Sequence, residues 1–197
     1  MKKNFFIAIF LIFIFANKSF SYSTDPKQFI SEIVEEAKQI LVASNSKEYK
    51  TKKLSEMALQ TVDIKGVGFY SLGKYRKNLN DDQLKEYLSL FEKYFLKSFT
   101  SRLTDYSDPK INVISVEVIN PKYTIVKSIL LATSKRPEVK IEWRVYTKNP
   151  DKPLIRDLII EGLSLARTQK EEFSSVIESN NGDVTKLFST LKEFIKK

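Results

Sequence analysis

The sequence contains no histidine and no cysteine among its 197 residues. Those two absences remove whole reaction classes. A Ser-His-Asp triad, a histidine relay and a cysteine nucleophile cannot be built. Cys/His zinc sites and iron–sulfur clusters are excluded as well, and so is a lipoprotein anchor, which needs a cysteine to acylate. No disulfide can form, so the fold is indifferent to the redox state outside the cytoplasm. The length matches about one domain, whose core can bury roughly 70% of the unfolded chain's surface. Stability therefore requires neither disulfides nor metals.

The N-terminus has the layout of a secretory leader. Met1-Lys2-Lys3 is a short basic start, Phe5 to Ala16 is an unbroken apolar run of 12 residues, and Ser19 and Ser21 form a small-x-small site. The run is too short for a membrane span, which wants about 20 apolar residues. Cleavage after Ser21 is expected to leave a single domain over residues 22–197. It would lower the net charge from +9 to +6, because Lys2, Lys3 and Lys18 are lost with no acid. An exported protein rarely meets nucleic acid and no recognition motif is present, so a nucleic-acid partner is not expected. The spread of lysines fits either simple solubility or attraction toward anionic membrane surfaces.

The hydrophobic pattern divides the chain into helices, then strands, then helices. Asp25-Pro26 reads as an N-cap with proline at the first helical position, followed by apolar residues at helical spacing from Phe29 to Leu41. Further helices are expected over 47–60, 64–75 and 81–104. Asn80 and Gln83 make a capping box for the last of these. Gly66, Gly68 and Gly73 fall in the third helix, at about 1 kcal/mol each against alanine, which signals close packing or a break. From Asp108-Pro109 the period changes. Four strands are expected, over 111–119, 123–133, 138–148 and 154–160, with short connections that make neighbours antiparallel. Helical spacing resumes at Leu165, and Asn181-Gly182-Asp183 separates two final helices. Strands segregated from helices make the fold α+β.

The remaining acids and bases do not assemble a catalytic constellation. Glu35-Glu36, Asp81-Asp82 and Glu171-Glu172 are adjacent pairs, and neighbours on a helix point in different directions. Gly66-x-Gly68 follows no strand and lacks a third glycine, so it fails the test for a dinucleotide loop. Asp157 and Glu161 flank the end of a strand, where a buried acid is either catalytic or a partner of Arg144 or Arg156. What is abundant is apolar surface. Val139, Ile141, Trp143 and Val145 share one strand face, and Phe91, Phe95, Phe99 and Leu103 form a stripe on the longest helix. This surface fits a filled core or a cavity for an apolar ligand.

Val62 through Arg76, Gln83 through Phe99, Trp143-Arg144-Val145 and Ile155 through Leu165 together resemble one family, the periplasmic phospholipid-binding proteins of the MlaC type, also called the toluene-tolerance auxiliary family. Val62-Asp63-Ile64 through Leu72-Gly73-Lys74-Tyr75-Arg76 is similar to its "D…LG.ywr" helix. Gln83, Phe91, Tyr94, Phe95 and Phe99 resemble its aromatic helix, and Trp143-Arg144-Val145 stands in its "v.YrL" strand. Ile155-Arg156-Asp157 through Glu161-Gly162-Leu163-Ser164-Leu165 resembles "vyDv.veGvSlv", and Phe173 falls where the family has "R..F", with Lys170 in place of the arginine. The likeness spans nearly the whole chain after the leader. Gly66-Val67-Gly68 and Trp143 depart from the usual pattern.

The resemblance implies a fold related to nuclear transport factor 2, with helices cupping a curved four-stranded antiparallel sheet. It implies a pocket for phospholipid tails. Its expected helical lining is Leu72, Tyr75, Phe91, Phe95, Phe99 and Phe173. The expected sheet lining is Val113, Ile129, Leu131, Ile141, Trp143, Val145, Leu158 and Ile160, with Leu163 just beyond. Lys74, Arg76 and Arg144 are the expected head-group contacts. The resemblance further implies a periplasmic lipid carrier, not an enzyme, without cofactor or metal. Its implied partners are an outer-membrane lipoprotein–porin complex and an inner-membrane ABC transporter with a lipid-binding subunit. Retrograde transport that maintains outer-membrane lipid asymmetry is the implied direction. A chaperone-like or structural periplasmic protein and a hopanoid-pathway relative of the same family are the alternatives. The physics suits a carrier: at about 0.8 kcal/mol per methylene, two acyl chains with roughly thirty methylenes cost on the order of 20 kcal/mol to bare in water.

Overall fold

In the computed structural model, residues 21–197 are described, except 105, 107 and 135. The leader expected over 1–21 lies, save for its last residue, outside the described residues.

Each helix begins where a side chain supplies the acceptor that its first free N–H groups lack. Asp25 caps α1 (Pro26–Val42), Ser46 caps α2 (Lys47–Thr61) and Asp63 caps α3 (Ile64–Leu72). The Asn80/Gln83 capping box opens α4 (Asp81–Leu103). The third helix is shorter than its periodicity suggests. Gly73 takes a left-handed φ of 56°, and the chain continues as a 3₁₀ turn, Gly73–Asn78. Gly68 serves the packing instead: a Cβ there would stand 2.8 Å from Phe91 Cδ1, so its absence lets α3 approach α4 closely.

The sheet is antiparallel and runs in sequence order: β1 (Ile111–Asn120), β2 (Tyr123–Leu130), β3 (Val139–Tyr146), β4 (Leu154–Ile160) and β5 (Leu163–Ser164). The α+β class holds, and the sheet has five strands where four are expected. The fifth arises because Glu161 and Gly162 both take positive φ, 48° and 82°, the backbone that a tight two-residue hairpin requires. The chain then folds back so that Leu163 pairs with Ile160 and Ser164 with Ile159. Ser164 in turn caps α5 (Leu165–Glu178), and Asp183 caps α6 (Val184–Lys196).

Two apolar clusters hold these elements together. One lies among α3, α4, α5 and α6, around Leu72, Tyr87, Phe91, Phe173, Ile177 and Leu187. The other lies between α1, α2 and one sheet face, around Phe29, Ile30, Leu54, Val126 and Val145. Each such side chain, fully buried, contributes about 1.5–3 kcal/mol. Val62 packs against both clusters. The α4 aromatics span them: Phe95 packs on the helical cluster and Phe99 on the sheet-side one, with their rings stacked at 5.9 Å and 8°.

Candidate functional site: an apolar seam between the sheet and the longest helix

Strand pairing sorts the sheet residues by face. Thr124, Val145 and Ile155 form one row; Val126, Trp143 and Leu158 form the next; Ser128, Ile141 and Ile160 form the third, with Val113 beside Ser128 and Leu163 beside Ile160. Side chains alternate across a strand, so these rows share a face. The face is dry at one end, where Val126 and Val145 are fully buried. Along it come the half-buried Trp143 and Leu158, then Ile160, and finally Leu163, which is 59% exposed.

The opposing wall is α4. Phe99 and Leu103 pack on the same cluster as Val113 and Trp143, and all four are only partly buried. A filled core would close over residues of this size. Here Phe95, Phe99, Leu103, Trp143 and Leu158 each keep part of their surface open. The Trp143 Nε1–H is already satisfied by Ser128 Oγ at 2.8 Å, so what the indole offers the seam is apolar ring.

The structure divides the expected tail-lining residues into groups. Phe99, Val113 and Trp143 meet in the sheet-side cluster, Ile141, Leu158, Ile160 and Leu163 lie on the same sheet face, and Phe95 packs on the helical cluster while stacking on Phe99. Val145 stands in the dry end row of that face. Leu72, Tyr75, Phe91 and Phe173 lie in the helical cluster, where Phe91 and Phe173 meet edge to face at 6.1 Å. Ile129 pairs with Asn112 and Lys140, which places it on the other side of the sheet. Leu131 lies just past β2, and its N–H donates to the Lys110 carbonyl.

The three expected head-group cations are elsewhere. Lys74 pairs with Glu178 at 3.2 Å, and Arg76 stacks over Phe69 at 4.8 Å. Arg144 stands on the far sheet face, 3.4 Å from Asp157. That face carries a cleft of about 630 Å³ against α3, lined by Gly66, Val67, Tyr70 and a row of charged sheet residues. Its charges are matched internally. Lys127 pairs with Glu117 at 2.7 Å. Arg156 pairs with Asp63 at 2.6 Å, stacks on the Tyr146 ring at 3.4 Å and donates to the Tyr123 hydroxyl. Neither the Arg156–Asp63 pair nor its aromatic bracket is legible in the sequence, where Asp63 stands only at the start of the "D…LG.ywr" stretch.

Of the two acids flanking the end of β4, Glu161 is exposed and Asp157 is buried and held by its neighbours. Its buried carboxylate accepts from Ser164 Oγ at 2.7 Å and from the Ala166 N–H at 2.9 Å. It ties β4 to the start of α5, where the helix dipole favours negative charge. Among the described residues, no cluster of three or more acids has metal-holding spacing, and no helix is long and apolar enough to cross a membrane.

This arrangement is similar to that of a phospholipid-binding protein from Ralstonia solanacearum solved in complex with a phospholipid. The TM-score is 0.70 at 19% identity, over 85% of this chain and 94% of that one. At this identity the likeness is one of fold. The model of the MlaC protein family matches residues 27–193; with the match spanning most of its length, the chain belongs to the MlaC protein family.

Proposed function

We propose that this protein binds a phospholipid with its acyl chains in the seam between α4 and the sheet, and carries it through the periplasm. The observation that carries the reading is the set of large apolar side chains left only partly buried where α4 meets the sheet, Phe95 and Phe99 on the helix and Trp143 and Leu158 on the sheet face. Membership of the MlaC family and the phospholipid bound by the Ralstonia protein support it. The work is binding, not bond-making: a matched apolar seam makes transfer of the tails between carriers nearly isoenergetic, and no nucleophile or metal is needed.

The finer parts of the proposal concern context. Residues 1–21 direct export and are cleaved. The carrier takes lipid from an outer-membrane lipoprotein–porin complex and delivers it to the lipid-binding subunit of an inner-membrane ABC transporter. This retrograde flow keeps the outer leaflet free of phospholipid. Mass spectrometry of protein taken from its native envelope is the test of binding. Co-purified phospholipid is expected; its absence, together with no uptake from phospholipid vesicles, would reject the reading. Labelled lipid placed in vesicles bearing one membrane complex or the other tests direction.

A further inference from the structure

The turn between β2 and β3 holds an arginine whose donors have no visible use. Arg136 Nε and Nη1 are both shut away from solvent and have no hydrogen-bond partner among the described residues. The guanidinium lies over the Tyr106 ring at 5.2 Å. A charged donor sheltered from water and left unpaired is costlier than a neutral one. Its presence points to an acceptor that arrives from outside the chain.

The surroundings say what that acceptor accompanies. Arg136 and Thr133 exchange backbone hydrogen bonds, closing the connection beyond Leu130 and Val139. At this same end of the sheet Ile111 faces Leu130, Ile160 faces Ile141, and the exposed Leu163 follows. Tyr106 lies three residues past Leu103, and its N–H donates to the Leu103 carbonyl. Arg136 thus joins the segment just past α4 to the β2–β3 end of the sheet, and so sits between the two elements that flank the apolar seam.

We propose that Arg136 receives the phosphodiester of the phospholipid whose tails fill the seam. This rests on the lipid-binding reading and assigns the head-group contact to a residue other than Lys74, Arg76 or Arg144. A guanidinium held by an aromatic face is suited to this: its plane is fixed, and several N–H groups can meet phosphate oxygens at once. A phosphate seated there would satisfy both dry nitrogens while leaving the rest of the head group toward water.

The experiment compares phosphatidylglycerol with diacylglycerol of matched acyl chains, each offered in neutral carrier vesicles, for wild type, Arg136→Met and Arg136→Lys. Methionine keeps an apolar stem against Tyr106, and diacylglycerol binding reports whether the seam survives. Wild type is expected to prefer the phospholipid by roughly tenfold to a hundredfold, the range of charge-assisted hydrogen bonds. Arg136→Met should erase that preference while retaining diacylglycerol binding, and Arg136→Lys should keep part of it. An unchanged preference in Arg136→Met overturns the assignment. So does an Arg136-dependent binding of inorganic phosphate alone with the lipid preference unmoved, which would mark a free-anion site. Failure of wild type to bind either lipid removes the seam reading itself, and this one with it.

Discussion

Trp143 donates its indole N–H to the Ser128 hydroxyl at 2.8 Å, diagonally across β2 and β3 on the seam face. Ser128 is itself buried, and its hydroxyl reaches the Ile141 carbonyl at 3.3 Å. The pair locks the ring edge into the sheet, and the indole packs on the same cluster as Phe99.

Trp143 is the sole tryptophan of the sequence, so fluorescence excited beyond the tyrosine absorption reports on the seam. Adding phospholipid vesicles to delipidated protein should shift the emission to shorter wavelength as acyl chains replace water. Ser128→Ala should cost about 1 kcal/mol of stability and move the emission of the lipid-free state. An emission spectrum indifferent to lipid would place the tails elsewhere.

Phe91 and Phe99 are two turns apart on one helix, yet they should fail differently. Phe91 is 1% exposed inside the helical cluster, and Phe91→Ala should cost about 3–5 kcal/mol. Phe99 is only partly buried, so Phe99→Ser should cost less stability but lose lipid. Denaturant melts beside lipid quantification separate the two; equal behaviour in both assays would erase the distinction between core and seam.

Asp157→Asn keeps the size of the side chain but weakens its acceptance from Ser164, Ala166 and Arg144. A destabilisation of about 1–3 kcal/mol is expected, because the acid anchors α5 to β4. Lipid binding per folded molecule should persist. A variant of unaltered stability that has lost a measurable turnover would instead make Asp157 a catalytic group.

Tyr87 is buried, and its hydroxyl donates to the Gly68 carbonyl at 2.9 Å; burial pushes its phenol above the ordinary range, with the nearby Tyr94 adding to the shift. A raised folded pKa means that the folded state holds the proton more tightly. Its contribution to stability is whole below the unfolded value of about 10 and falls as pH rises beyond it. Melting temperature should therefore drop above pH of about 10, and Tyr87→Phe should flatten that drop while lowering stability at neutral pH. Identical alkaline slopes in both proteins would contradict the linkage.

Much of the fold is written in local signals. Asp25-Pro26, the Asn80/Gln83 box and Asn181-Gly182-Asp183 mark helix boundaries by chemistry that acts within a few residues. The alternation Val139, Ile141, Trp143, Val145 shows which β3 residues share a face. The fifth strand escaped this reading because two residues cannot establish a period; Glu161 must adopt a left-handed backbone that only the closed hairpin reveals. The third helix breaks at Gly73 because Tyr75 turns into the helical cluster, a demand made by α4 and α5.

The site is less legible. A helical stripe such as Phe91, Phe95, Phe99 and Leu103 is uniform along its own axis, so nothing local distinguishes Phe91 in a closed core from Phe99 on a gap. Lys74 and Arg76 read as free cations in sequence, but Glu178 and Phe69 come to them only through folding; the Arg144–Asp157 pair is already among the sequence's alternatives.

By itself the amino-acid order determined the absence of histidine and thiol chemistry, the run of helices, strands and helices, and the faces of β3. It did so because composition and periodicity act at short range. The tertiary structure alone decided which aromatic residues are sealed and which line the seam, which carboxylate each arginine meets, and that Arg136 is left dry beside Tyr106. Those outcomes depend on packing between segments far apart in the chain, where no local rule reaches.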